Sequence, residues 1–266
     1  MHERYDTTHP LTADIRIPAG RIDVRVHDEP FTTVQVDGTR AEDVTIDFDT
    51  RSNGDRLTVE YRGKKLFGWL AMGNDLIVTI DVPATASLDV STGSAGLEVN
   101  GTVAAISFRS GSGELRFDEV TGNVIAKTAS GDVFGDEVRG NLRFHGASGD
   151  ISVGGVGATT SCRTASGGMS VGRVTGDANL ASASGDAQIG VVSAGTATVR
   201  TVSGDVEVGV VEGSDVYLDL SSTSGEVSCE LEPSSGPVAG AAELTLNLSS
   251  VSGDVRVRRV AATSGR

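Results

Sequence analysis

The stretch Thr128-Ala129-Ser130-Gly131-Asp132-Val133 returns as Thr201-Val202-Ser203-Gly204-Asp205-Val206. Around and between these copies the Ser-Gly pair keeps a regular beat. Its glycines are Gly113, Gly131, Gly149, Gly167, Gly185 and Gly204, eighteen or nineteen residues apart, and Gly225 and Gly253 follow after longer intervals. A degenerate first copy is Ser94-Ala95-Gly96-Leu97. Self-similarity at a fixed short period means stacked units that bury a core only together.

The residues around each copy give the content of the unit. Before the motif every second position is apolar or small, as in Ile106-Phe108-Ser110, Leu142-Phe144-Gly146 and Val199-Thr201. After it come Leu115-Phe117-Val120, Ile151-Val153-Val156 and Met169-Val171-Val174. A period of two is a strand with one buried face. A second turn often follows, as in Thr121-Gly122-Asn123 and Arg139-Gly140-Asn141. Strand, turn, strand, turn leaves no room for a crossover helix. The fold class is therefore all-β, a single-chain parallel β-solenoid (β-helix) with coils of ~18 residues. An antiparallel hairpin array would not require the same residue type in the same slot of every unit.

Within the motif, Ser112, Ser130, Ser148, Ser166, Ser184 and Ser203 fall in phase with the inward positions, so they are expected to line one buried corner. The following Gly is expected to take a positive φ there. No copy is distinguished from the others, which argues against a nucleophilic serine.

With these Ser-Gly-Asp-Val turns the chain resembles the bacterial adhesin-like, β-strand-repeat family of unknown function, over roughly residues 15–260. The resemblance implies a β-helix and adhesion-like binding.

Residues 1–86 are β-rich but less regular, with alternation at Ile22-Val24-Val26, Val44-Ile46-Phe48 and Leu57-Val59-Tyr61. A solenoid must shield its terminal strand edges. The expected organisation is thus a divergent N-terminal β cap over 1–86, continuous with solenoid repeats over 87–260, and a frayed tail over 261–266. Glu232-Pro233-Ser234-Ser235-Gly236-Pro237 reads as a loop inserted into a late coil. Arg256, Arg258 and Arg259 on the last strand read as charges that blunt an edge.

Two features are candidates for interaction. Lys64, Lys65, Phe67, Trp69 and Met72 stand in a Gly-punctuated stretch holding the only Trp, which suits either a partner or a fold over the solenoid end. Arg109, Lys127, His145, Arg163, Ala181 and Arg200 occupy one outward slot of successive coils, beside the small residues Ala129, Ala147, Ala165 and Ala183. That is a basic stripe on a chain of net charge −14.

The same acidity argues against nucleic acid, which demands a basic field. His2, His9, His27 and His145 are scattered without zinc spacing, and no phosphate-cradling loop precedes a helix. The acidic slot after the motif Gly (Glu114, Asp132, Asp150, Gly168, Asp186, Asp205, Glu226, Asp254) offers one carboxylate per coil, thin supply for calcium, so turn chemistry is the better reading. No catalytic, cofactor-binding or metal residue is assigned. Cys162 and Cys229 fall in inward slots several coils apart, and are expected as buried free thiols. No apolar run is long enough to span a bilayer and no signal peptide is evident, so a cytoplasmic chain is expected.

The functional expectation is a non-enzymatic scaffold that binds an unknown protein or surface partner. The alternative is a structural solenoid that self-assembles end to end, a homo-oligomer. A carbohydrate-active enzyme ranks third, because the aromatic platforms of a sugar cleft are scarce.

Overall fold

The computed structural model describes residues 1–63, 75–231 and 243–261. The stretch from Lys64 to Met72 and the insertion at 232–237 lie outside these residues, as does most of the tail. The chain divides into two compact units, Met1–Asp136 and Glu137–Arg266, each built from the same coil.

In the N-terminal unit one wall stacks Ser87–Thr92, Ala105–Ser110 and Val124–Thr128 in parallel. Ile106 faces Leu88 on one side and Val124 on the other, eighteen residues away in each direction. The opposite wall pairs Leu115–Val120 with Gly96–Val103. In the C-terminal unit the first wall stacks Leu142–His145, Thr160–Thr164, Ala178–Ser184 and Gly195–Ser203. Its second wall stacks Ile151–Val156, Met169–Val174, Ala187–Val192 and Val206–Val211. The ladder is parallel throughout these coils, as the slot-by-slot repetition requires.

The core is the set of inward columns. Phe108, Leu115, Phe117 and Val124 are buried in the first unit; Phe144, Ile151, Met169, Leu180 and Val199 in the second. Each such side chain is worth roughly 1.5–3 kcal/mol of transfer energy, so many thin layers replace one bulky centre.

At the motif the sequence reading needs correction. Ser112, Ser130, Ser148, Ser166, Ser184 and Ser203 are exposed, and Gly113, Gly131, Gly149 and Gly167 point inward. Two successive exposed residues at the bend shift the alternation by one, so the buried phase passes from Ser110 to Gly113 and Leu115. The buried hydroxyls are those three residues before the glycine. Thr128 Oγ1 accepts the Gly131 N–H at 2.7 Å, and Ser110 Oγ accepts that of Gly113 at 2.7 Å. The same class of hydroxyl donates to the neighbouring coil, Thr201 to the Gly185 carbonyl at 3.2 Å and Ser250 to that of Gly204 at 3.0 Å.

Nor do the motif glycines from Gly113 to Gly225 take a positive φ. They are glycine because the next coil is too close. A Cβ on Gly131 would lie 2.0 Å from the Gly113 carbonyl oxygen, and one on Gly167 would lie 2.0 Å from that of Gly149. A second glycine column runs through the other wall of the C-terminal unit, where Gly172 and Gly190 each leave 2.4 Å between a hypothetical Cβ and the carbonyl below.

Chain order is also less simple at the ends. Leu11–Ile17 already pairs in parallel with both Gly54–Tyr61 and Ser87–Thr92. Arg21–His27 likewise pairs with both Ile77–Pro83 and Gly96–Val103. The antiparallel strands lie outside these: Val44–Arg51 on Gly54–Tyr61, Phe31–Asp37 on Ile77–Pro83, and His2–Asp6 on Phe31–Asp37. There Tyr5 and Phe48 stack with ring centroids 4.6 Å apart, which joins the two outermost strands of this unit.

In the C-terminal unit the last strand in sequence is not the last in space. Val255–Val260 lies between Val206–Val211 and Val227–Cys229. Arg256 therefore lies between two strands and does not guard an edge, and Arg258 pairs with Glu207 at 2.6 Å. The outer coil is Asp215–Ser222 with Val227–Cys229. This corrects the reading of the thiols. Cys162 is buried, but Cys229, although in register with the inward Val257, is exposed on that final coil.

Two outcomes follow from this geometry. Gly167→Ala should destabilise the protein by about 1–3 kcal/mol or more in urea denaturation, since a backbone carbonyl cannot yield as a side chain does. Ser166→Ala, at an exposed site, should stay within about 0.5 kcal/mol. Burial pushes the Cys162 thiol up to about 12, so its nucleophilic thiolate is scarce. A disulfide-exchange reagent should titrate one thiol in the native protein and both after denaturation.

Candidate interaction face

The outward side of the first wall is set by the same alternation that fills the core. In the C-terminal unit the register places His145, Arg163, Ala181, Arg200 and Ser249 in one column. The adjacent outward column is Arg143, Ser161, Asn179, Thr198 and Asn247. At ~4.8 Å per coil, Arg163 touches the His145 rung directly and stands roughly 10 Å from Arg200 across Ala181. Arg143 shares a strand and a face with His145. Sequence reading missed it, although its signal was present two positions before His145 in the same alternation.

Arg143, His145, Arg163 and Arg200 are exposed and have no carboxylate partner among the described residues. Many other arginines are neutralised, as Arg16 is by Asp14, Arg21 by Asp23 and Glu98, Arg116 by Glu114, and Arg173 by Glu137, although exposed Arg25, Arg256 and Arg259 also lack a carboxylate partner among the described residues. Across the coils of this face the outward slots hold Ser, Thr, Asn and Ala, with Asp177 at the margin, where its Oδ1 accepts the Thr196 N–H at 2.9 Å. On this face an acidic molecule carries three arginines and a histidine in two adjacent columns without a carboxylate partner among the described residues. Unit charges 10 Å apart in water repel by about 0.4 kcal/mol, a small cost that an anion laid between them reverses.

The N-terminal unit holds the other members of the stripe. Arg109 and Lys127 are opposite one another in the ladder. Arg109 bonds Asp89 at 2.8 Å, so its charge is already matched. Ala129, Ala147, Ala165 and Ala183 are exposed at the corner beside these columns, and the slot becomes Val202, 52 % exposed, and Val251, 49 % exposed, further along the C-terminal unit. Lys64, Lys65, Phe67, Trp69 and Met72 lie outside the described residues.

The acidic corner ladder has a structural use. Asp150 accepts the Gly168 N–H at 2.7 Å, Asp186 that of Asp205 at 2.9 Å, and Asp205 that of Asp254 at 2.8 Å. Each carboxylate clamps the amide of the adjacent coil, and among the described residues no group of three or more His, Cys, Asp or Glu is placed to hold a metal ion.

Against this geometry the comparisons with known proteins are decisive for the family. The sequence profile of Toastrack DUF4097 matches residues 12–258. The chain belongs to the Toastrack DUF4097 family. A candidate adhesin from Bacteroides fragilis NCTC 9343 shares 12 % identity with this Toastrack chain at a TM-score of 0.53, covering 98 % of it and 96 % of the other, and shows the same fold. A candidate adhesin from Parabacteroides distasonis ATCC 8503 is 15 % identical at a TM-score of 0.42, with coverage of 98 % and 96 %. A candidate lipid-binding protein from the same organism is 12 % identical at a TM-score of 0.40, with coverage of 98 % and 96 %. No curated protein matches the chain.

If the carboxylate ladder serves amides and not calcium, the melting midpoint should be the same in about 1 mM calcium as in chelator, since a bound ion would raise it by mass action. A rise of several degrees would establish a cation site on this Toastrack corner.

Proposed function

We propose that this Toastrack protein is a non-enzymatic binding scaffold, adhesion-like in action, whose working surface is the basic outer face of the first wall. The observation that carries this reading is the cluster Arg143, His145, Arg163 and Arg200, unmatched on a chain of net charge −14. A flat sheet presenting hydroxyls, amides and methyls around spaced cations fits a broad partner surface that bears acidic groups.

The titratable groups support a non-catalytic role. Active sites gather perturbed groups in a cleft. Here the displaced ones are scattered and each has a local cause. Burial opposes ionisation of the Asp55 carboxyl, yet the amides of His9 and Thr8 hold it below the usual range. The Thr39 hydroxyl does the same for Asp75, and the Asp23 carboxylate raises Arg21.

The test uses the charge contrast itself. At neutral pH and low salt the protein should be retained on a polyanionic matrix despite its net charge, and released by about 0.15 M salt, where the screening length is about 8 Å. Arg163→Glu with Arg200→Glu should pass unretained. Arg109→Glu, whose charge already meets Asp89, should behave as wild type. A wild-type protein that flows straight through would remove this face from consideration.

A further inference from the structure

The two units treat their outer strands differently. In the N-terminal unit the outermost strands are antiparallel additions, and Tyr5 stacked on Phe48 spans them. In the C-terminal unit the outermost coil carries no such addition among the described residues. Asp215–Ser222 has one neighbour, Glu243–Ser252, and Val227–Cys229 has one neighbour, Val255–Val260. The inward residues of the penultimate coil, Leu244, Leu246 and Leu248, are essentially fully buried. Their register partners Val216, Leu218 and Leu220 are only half-buried, and Val227 is 43 % exposed. Among the described residues, apolar surface and a row of backbone groups without a partner strand therefore coincide at one edge. Such an edge is a template for another strand.

We infer that this edge pairs with the same edge of a second copy, strand Asp215–Ser222 against Asp215–Ser222 in antiparallel order, to give a tail-to-tail two-fold dimer. Three independent constraints agree on that occupant. First, the Thr223 N–H bonds the Ser250 carbonyl, so the odd-numbered residues of the strand spend their backbone groups on the inner neighbour. By alternation, the N–H and C=O of Val216, Leu218 and Leu220 point to the open edge. Second, continuing the core across the junction requires inward residues to face inward residues, which restricts the pairing to even-numbered residues opposite even-numbered ones.

Third, apolar match selects among the remaining registers. Centring on Val216 or Tyr217 sets an inward Leu against Ser214, and centring on Asp219 or Leu220 sets Val216 or Leu218 against Ser222. Centring on Leu218 sets Val216 against Leu220, Asp215 against Ser221, and Tyr217 against Asp219. No like charges meet, and the Tyr217 phenol, on a side chain 70 % exposed in the single chain, is placed to donate to a carboxylate. Only this register sets all three inward apolar residues against one another with no like charges opposed, the self-complementarity an isologous interface demands. This inference does not depend on the basic face.

Sedimentation equilibrium of the full chain over a wide concentration range tests it. The expected result is a reversible monomer–dimer equilibrium. Tyr217→Asp should weaken association about tenfold, because symmetry creates two facing pairs of like charges. The double variant Tyr217→Asp with Asp219→Lys should restore it, since each new pair is then opposite in sign. Both positions face solvent, so the melting temperature of the single chain serves as the folding control. A monomer at every concentration overturns the inference. So does a dimer indifferent to Tyr217→Asp, or one that the second substitution fails to rescue.

Discussion

Everything in this molecule depends on how closely one coil lies on the next at the Ser-Gly corner. There a glycine faces inward with a carbonyl of the neighbouring coil about where its Cβ would be. A hydroxyl three residues earlier accepts that glycine's N–H and, in several coils, donates to the adjacent coil as well. Most buried polar groups of the sharp bend thus find partners within the coil or across it, although the Ser182 hydroxyl has none among the described residues. The glycine recurs in every copy of the motif and the hydroxyl in most, Gly146 taking its slot before Gly149, so the coils keep one register. The inward columns of Val, Leu and Ile then align as a consequence of the corner.

This explains what the sequence discloses and what it conceals. Period and alternation expose the coil length, the parallel pairing and almost all of the core, since these depend only on residue spacing. They do not reveal the phase change at the bend, where two successive exposed residues transfer the buried role from Ser130 to Gly131 and Thr128. Strict alternation assigns the wrong side there because a corner is not a strand. Arg109 illustrates a second limit. Its slot in the repeat is the same as that of Arg163, yet a carboxylate one coil away, Asp89, cancels it. Whether a charge is free depends on cross-coil neighbours, and these become visible only once the register is known.

The order of coils at the ends was hidden for a different reason. Nothing in the composition of Val255–Val260 says that it slides inside a coil made earlier in the chain. Yet the burial pattern follows from it. Leu244, Leu246 and Leu248 are essentially fully buried, whereas their register partners Val216, Leu218 and Leu220 on the outer strand are only half-buried. The same slippage turns Cys229 from an expected core thiol into an exposed one. An inward slot is buried only if another layer covers it.

A fold that fixes its interior so rigidly leaves its outward slots nearly unconstrained, and this is where binding can be written without cost to stability. Replacing an outward residue on a stacked wall alters no core contact, so charge can drift from coil to coil. Elsewhere much of it has settled into local ion pairs, as at Arg16, Arg21, Arg109, Arg116 and Arg173. On the first wall of the C-terminal unit it has not: three arginines and a histidine stand among hydroxyls and methyls with no carboxylate to meet them. Local pairing is the cheap arrangement on an acidic molecule, in which carboxylates outnumber cations by 36 to 22. A patch that avoids pairing against those odds is the feature on which the proposed binding surface rests.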